Sequence, residues 1–360
     1  MRSDRARASR PTKRLLLTAV ALTALTTACG SDDSGTASSA TEAPSDGAAY
    51  PVTVESCGHR ATFDEAPKRA VITDVNMVED MLALGLGDRV VGTFAVGDDT
   101  HPIGDEYRAG WEELEHVSDE YPELEPLVAL KPDFVFSGWS WGLVEAKNTT
   151  PDNLATYGIK TYILAESCDW GPGSPTKTSV GMETTYADLE NLGKIFDVPE
   201  QADQVIADLK AQIAAVQERV KDVTPKKVFL YDSGETAPFT VGNLGVPHDL
   251  ITLAGGTNIF ADEDRSWTEG SWEAVVDAQP DCIILNEYGG SSASSGAAYK
   301  EDFLKSSPLT KDLPAVTNDC ILTLDFDELA PGPRNADAIE SIARWLYPCL
   351  LYTSPSPRDS

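Results

Sequence analysis

Two stretches of this chain are built on one plan. Residues 124–136 read LEPLVALKPDFVF, and residues 272–284 read WEAVVDAQPDCII. Each is a short helical run, a Pro-Asp pair and an apolar run suited to a strand. In both, a Glu lies seven residues before the Pro: Glu125 before Pro132-Asp133, Glu273 before Pro280-Asp281. Proline cannot continue a helix, so each unit turns from helix to strand at a fixed point. A unit of this kind used twice predicts two lobes of one design, although helix–Pro-Asp–strand also recurs in unrelated α/β chains.

The rest of the chain fits that plan. Apolar, β-branched runs at 70–73, 89–94, 133–137, 160–164, 227–231, 281–286 and 320–325 are expected strands. Helical patterns fall at 76–86, 150–157, 179–196, 200–221, 270–278 and 335–347. Strands alternating with helices predict α/β lobes with mainly parallel sheets. Ala202, Val205, Ile206, Leu209, Ile213, Val216 and Val220 place one apolar stripe on a helix. Pro199 stands before that helix and Pro225 after it.

The chain has 360 residues, 58 of them acidic and 28 basic, for a formal charge of −30. That excess argues against nucleic acid, where affinity comes from neutralising phosphates with Lys and Arg. Residues 1–28 carry six basic residues and one acid, then an apolar stretch ending in Ala28-Cys29. This reads as a secretory signal too short for a good membrane span. Its end resembles a lipobox, which makes Cys29 the lipidated residue; Thr26 departs from the pattern, and plain secretion is the other reading. Loss of residues 1–28 moves the charge to −35. Residues 29–50 are small, polar and acidic and read as a flexible tether. Residues 349–360 resemble the translation of a sequencing adapter and are read as an appended artefact; a genuine Ser/Pro tail is the other reading.

With Cys29 and Cys349 set aside, Cys57, Cys168, Cys282 and Cys320 remain. Four cysteines in an exported chain suggest two disulfides with three possible connectivities. Cys57–Cys168 and Cys282–Cys320 are favoured because each then stays inside one lobe. In the chain-entropy picture each would stabilise by roughly 4 kcal/mol.

Several chemistries leave no trace. Phosphate-loop and dinucleotide motifs are absent. His59, His101, His116 and His248 are scattered, and no cluster stands out as a metal site. Gly138-Trp139-Ser140-Trp141-Gly142 satisfies the G-x-S-x-G pattern of a hydrolase elbow, with His248 as the plausible base. Two Trp would crowd such an elbow, and no HGGG-type segment precedes it.

Six segments in order resemble the solute-binding proteins of ABC importers for ferric siderophores, haem and cobalamin. They are PVTVESCGHRATFDEAPKRAVI, MVEDMLALGLGDRVVG, the two Pro-Asp units, ITLAGGTNIFAD and ELAPGPRNADAIESIARWL. The resemblance covers about residues 51–348. It implies a lobe over 51–178, a linking helix over 179–198, a second lobe over 199–348 and a ligand cleft between the lobes. It implies no catalysis and no resident cofactor. The implied partners are an iron chelate and a permease dimer, with a monomeric protein lipid-anchored on the outer face of a bacterial cell membrane. Glu125 and Glu273 match the two positions at which such proteins dock on the permease. Read alone, each is a solvated Glu at a helix start.

The same resemblance points to cleft residues. Trp139 and Trp141 follow a strand, where ligands sit in open α/β sheets. Trp267 and Phe239 match cleft aromatics of the cobalamin binder; Tyr121 lies near another, one residue out of register. Arg334 matches an Arg that siderophore and haem binders point into the cleft, suited to bidentate bonds with ligand oxygens. Core packing is the other reading for each Trp, and a helix cap the other reading for Arg334. Asn76 fits a helix N-cap, a cleft donor or both. Trp170 is read as covering the Cys168 bridge. Tyr231 and Tyr288 keep a haem ligand open. With no bare-metal site and a strongly acidic chain, a neutral or cationic ferric hydroxamate is the expected chelate.

Overall fold

The computed structural model describes residues 50–96, 102–139, 142–169, 181–288 and 296–351. Strands β1 (Val52–Ser56) and β2 (His59–Phe63) form an antiparallel hairpin. Next come β3 (Ala70–Thr73), α1 (Val75–Ala83), β4 (Val90–Phe94), α2 (Arg108–Trp111) and β5 (His116–Ser118). They lead into α3 (Leu124–Ala129), β6 (Phe134–Ser137), α4 (Pro151–Ala155) and β7 (Lys160–Ile163). Two long helices follow, α5 (Met182–Phe196) and α6 (Pro199–Val220). The second half contains β8 (Lys226–Tyr231), β9 (Phe239–Val241), α7 (Val246–Leu253), β10 (Gly256–Asn258), β11 (Trp267–Glu269) and α8 (Trp272–Ala278). It continues with β12 (Cys282–Glu287), α9 (Ala297–Ser306), α10 (Pro314–Thr317) and β13 (Ile321–Asp325). Helices α11 (Phe326–Leu329), α12 (Asn335–Leu346) and α13 (Pro348–Leu351) close the described chain.

The first sheet is parallel, in the order β5-β4-β3-β6-β7; the second is parallel, in the order β10-β8-β12-β13. Strands β9 and β11 pair antiparallel beside the second. The α/β fold with two mainly parallel sheets is the expected one; in place of one linking helix over 179–198, two long helices, α5 and α6, stand between the sheets in the chain. All seven expected strands fall on observed ones, with ends shifted by a residue or so. The central strands read as unbroken apolar runs because helices cover both faces; β3 and β6 are buried at every position. Four of the elements with no sequence expectation are three-residue strands, too short to show a period. Helix α9 was hidden for another reason: its inward stripe is Ala297, Lys300 and Leu304, and a lysine breaks the apolar pattern.

One continuous apolar cluster runs from Ile72 and Phe136 in the first sheet to Leu230 and Ile284 in the second. It passes through Leu189, Leu192 and Ile195 of α5, Leu209, Ile213 and Val216 of α6, and Ile339 and Ile342 of α12. Helices α5 and α6 pack so closely that a Cβ at Gly193 would come within 2.6 Å of the Ala202 Cβ. Burial contributes roughly 1.5–3 kcal/mol for each such Leu or Ile. The expected stripe on α6 is confirmed: Ala202, Leu209, Ile213, Val216 and Val220 are buried, and Val205 and Ile206 lie at its margin.

Both expected disulfides are present. Cys57–Cys168 ties the β1–β2 turn to the segment after β7, and Cys282–Cys320 joins the entries of β12 and β13. Cys349 is exposed and unpaired in α13. No helix among the described residues is long and apolar enough to cross a membrane.

Candidate functional site

The strand orders locate the site. In an open parallel sheet, the crevice lies beyond the C-terminal ends of the two strands where the winding reverses. In the first sheet these are β3 and β6; in the second they are β8 and β12. Each place carries an Asp directly after the first strand, Asp74 after β3 and Asp232 after β8.

At the first switch point Thr73 Oγ1 donates to Asp74 Oδ2 at 2.8 Å and approaches Ser137 Oγ at 2.9 Å. Tyr121 donates its hydroxyl to Asp74 Oδ1 at 2.5 Å. Burial first, and the Asp74 charge second, push the Tyr121 hydroxyl far above its usual range, so it stays a donor. Asp74 has φ 59 and ψ 145, backbone that non-glycine residues adopt only where their surroundings force it.

At the second switch point Asp232 accepts from Ser233 Oγ at 2.8 Å, Asn286 Nδ2 at 2.6 Å and the Tyr288 hydroxyl at 2.6 Å. Lys300 is only 1% exposed; its Nζ donates to the Asn286 carbonyl and lies 5.1 Å from the centre of the Tyr288 ring. Burial lowers the Lys300 pKa, against the pull of Asp232 and Glu287.

The two switch points meet through aromatic rings. Trp139, two residues past β6, packs edge-on against Phe326 at 5.8 Å. Phe326 stacks on Tyr288 at 5.2 Å. Trp139 is 5% exposed with φ 58, an outlier for so bulky a side chain. Elsewhere in the second half, Phe239 and Trp267 stack at 5.9 Å across the β9–β11 pair, and the buried Trp267 indole N–H has no partner among the described residues. A small cavity of about 130 Å³ lies past the ends of β6 and β7, lined by Ser137, Gly138, Leu143, Ile163, Ser167 and the Cys57–Cys168 bridge.

Two expected cleft donors are engaged in a polar seam between the halves. Asn76 Nδ2 donates to the Pro331 carbonyl at 2.8 Å, and its backbone N–H donates to Asp327 Oδ1 at 3.2 Å. Arg334 Nε donates to Glu79 Oε2 at 2.8 Å, while Glu79 Oε1 accepts the Gly104 N–H at 2.7 Å. Arg334 is 8% exposed, and its Nη2 has no partner among the described residues. Burial pushes Glu79 up to about 8, with Arg334 and the Gly104 amide pulling the other way. On the next residue of α1, Asp80 is fully buried; burial, then Asp188 and Glu79, hold its carboxyl well above the usual range. Asp188 on α5 accepts from the Tyr162 hydroxyl at 2.7 Å and from the Ala165 amide; burial raises it to about 7.

At the opposite edge of both sheets the Pro-Asp repeat has a structural account. Asp133 accepts the backbone N–H groups of Lys68 and Arg69, at the entry of β3. Arg69 reaches back to the carbonyls of Leu130 and Lys131. Asp281 accepts the Lys227 N–H at 2.8 Å, and Lys227 Nζ reaches the Ala278 carbonyl at 2.9 Å. Lys131 and Gln279 both sit at positive φ before their Pro. Each unit therefore clamps the end of its helix to the start of a neighbouring strand. Glu125 and Glu273 lie exposed in the first turns of α3 and α8. Those turns point towards the C-terminal edges of the sheets, the side of the switch points.

Other expected residues are placed differently. Tyr231 is 1% exposed and packs on Phe229 and Trp272 in the second core. His248 lies against Asn258 Nδ2 at 3.3 Å, with its pKa lowered by burial. Trp141, Ser140, Trp170, His101, Cys29, the segments 1–28 and 29–49 and residues 352–360 lie outside the described residues. Among the described residues no group of three or more His, Cys, Asp or Glu is placed to hold a metal ion.

Two parallel α/β sheets, a helical link and a seam of switch points define the class of two-lobed binding proteins. The chain belongs to the periplasmic binding protein family, which it matches over residues 71–328. It is similar to an uncharacterised ABC transporter substrate-binding lipoprotein of Bacillus subtilis, 25% identical over 83% of this chain and 86% of that one. A vitamin B12-binding protein of Vibrio campbellii is 26% identical over 78% and 90%. Among solved structures, an ABC-type Fe3+-hydroxamate transport system from Saccharomonospora viridis superposes with a TM-score of 0.68 at 25% identity, over 83% of this chain and 99% of that one. The chain is thus an ABC-type substrate-binding protein. This is a family of extracytoplasmic solute binders that work with a membrane permease, and not of enzymes.

Proposed function

We propose that this protein captures a ferric siderophore of the hydroxamate type outside the cell membrane and delivers it to a permease dimer. The observation that carries this reading is the meeting of the two switch points, with Trp139 of the first half packed on Phe326 of the second. Asp74, Asp232 and Asp327 gather near that junction, and its two buried cations, Arg334 and Lys300, are already engaged. Such a lining suits a neutral or cationic chelate better than a polyanionic catecholate. The likeness to the Fe3+-hydroxamate structure supports the same choice.

In this reading Trp139, Trp141, Trp267, Phe239 and Tyr121 bury the organic shell, and Asn76 and Arg334 supply polar contacts at the seam. The chelate brings its own iron ligands, so the protein supplies none. Glu125 and Glu273 dock the monomer on the permease, one per lobe. Residues 1–28 direct export, and Cys29 carries the lipid that holds the protein at the outer face. Lobe closure is small, because the apolar cluster through α5, α6 and α12 resists a wide hinge. Cobalamin is the second reading, favoured by the relatives that bind vitamin B12.

The test is intrinsic fluorescence of the seven Trp, titrated with ferric desferrioxamine, a ferric catecholate, haem and cobalamin and corrected with free tryptophan. Saturable submicromolar quenching by ferric desferrioxamine is expected. Preference for the catecholate would contradict the hydroxamate reading, and preference for cobalamin would move the protein to the second reading.

A further inference from the structure

The reading above gives Phe326, Tyr288 and Lys300 no contact with the chelate. Tyr288 stands just past β12 and Phe326 just past β13, adjacent strands of one sheet, so both rings emerge from the same C-terminal edge. They stack at 5.2 Å with an interplanar angle of 22°. Within this stack Phe326 meets Trp139 from the other half. All three rings come from segments beyond strand ends, where a sheet offers binding surface and not core.

The stack is also held rigidly. The Tyr288 hydroxyl is fixed to Asp232 Oδ1 at 2.6 Å. Beneath its ring lies the Lys300 ammonium, almost wholly buried and bonded to the Asn286 carbonyl. Burying an ammonium is costly unless it does something there. Here it meets the π-face of Tyr288 and ties α9 to β12. Trp139 holds a strained backbone at φ 58, a conformation that persists only when its surroundings dictate it. Phe326 is the partner it leans on.

We propose that Phe326 and Tyr288 form the second-lobe wall that grips the organic shell of the chelate against Trp139, with Lys300 as the residue that positions Tyr288. The proposal rests on the binding-protein reading above. A chelate entering between Trp139 and Phe326 exchanges ring–ring contact for ring–ligand contact. It must therefore present a flat hydrocarbon or amide face; a bare metal ion would gain nothing there. Trp139 and Phe326 are in ring contact, with centroids 5.8 Å apart, so a ligand face entering between them moves Trp139 off Phe326.

The experiment is equilibrium binding of ferric desferrioxamine and of cobalamin to the full chain and its variants. Phe326→Ala should weaken the bound chelate about tenfold or more, and Phe326→Tyr should restore it to within about threefold. Phe326→Leu keeps the site apolar, guards against a folding defect, and should give an intermediate loss. Lys300→Met should weaken binding about fivefold in the wild type and leave a Tyr288→Ala background unchanged, because Lys300 acts through that ring. Binding by Phe326→Ala within twofold of wild type would overturn the wall alone. Equal losses from Lys300→Met in both backgrounds would make Lys300 a folding residue and overturn its positioning role. A wild-type chain that binds neither chelate would overturn the ligand reading itself, and the wall with it.

Discussion

The two halves are alike at one edge of their sheets and different at the other. At the N-terminal ends of the strands, Asp133 and Asp281 do the same job with the same partners: a backbone N–H of the neighbouring strand, and a basic side chain reaching back to a helix end. At the C-terminal ends, both halves keep an Asp held by a Tyr, but the surroundings diverge. The first has Thr73, Ser137 and a strained Asp74. The second has Asn286, a buried Lys300 and a ring stack. Positions that hold the scaffold have stayed the same in both halves, whereas positions that face the cleft have taken on separate tasks.

The largest effect should come from the two acids that the halves share on the outside. Reversing Glu125 and Glu273 together to Lys should abolish chelate uptake by cells while leaving binding in solution intact; either reversal alone should leave partial uptake. Normal uptake by the double variant would remove the symmetric docking. The cross-lobe pair ranks next. Arg334→Met should cost about 2 kcal/mol of stability in urea unfolding, because it leaves the buried Glu79 carboxyl without its Arg334 donor. A loss under 1 kcal/mol with a large drop in affinity would mean that Arg334 serves the ligand first.

Trp267→Ala should weaken ligand binding by about 2 kcal/mol if Trp267 is a central contact. Unchanged affinity would confine the site to the Trp139 side. The buried carboxyls predict a pH response. Glu79, raised from 4.5 to about 8, and Asp188, raised from 3.8 to about 7, hold protons more tightly folded than unfolded. Folding therefore takes up protons across that window, and stability falls as the pH climbs from about 4.5 to 8. Melting curves should show a higher midpoint at about pH 5.5 than at about pH 7.5. Asp188→Asn should flatten the slope, and an unchanged slope would show that the carboxyls titrate normally. The smallest effects belong to the scaffold clamps. Asp133→Ala and Asp281→Ala should each cost about 1–2 kcal/mol and leave affinity alone. Unequal affinity changes would mean that the two edges are coupled.

The fold was legible because a parallel strand buried on both faces must be written as an unbroken apolar run, as at β3 and β6. Both disulfides followed from keeping each bridge within one lobe. The site was less legible. Trp139 stood out as a candidate because it follows an expected strand and Tyr121 only through the family resemblance, and the Asp133 and Asp281 clamps looked like turn residues until the neighbouring strand was in place. Asp74, Asp232 and Phe326 carry no local pattern at all; their meaning comes from partners such as Tyr121, Tyr288 and Trp139 far away in the chain. Arg334 was visible as a special Arg, but its pairing with Glu79 across 255 positions was not.

The central claim is that the chelate is held between the C-terminal edges of the two sheets. Hydrogen–deuterium exchange of the full chain with and without saturating ferric desferrioxamine tests it directly. The account predicts new protection at residues 73–76, 286–288 and 326–334 and none at 130–133 or 279–281. Protection at the Pro-Asp edge, or full binding with no change at either switch point, would contradict it.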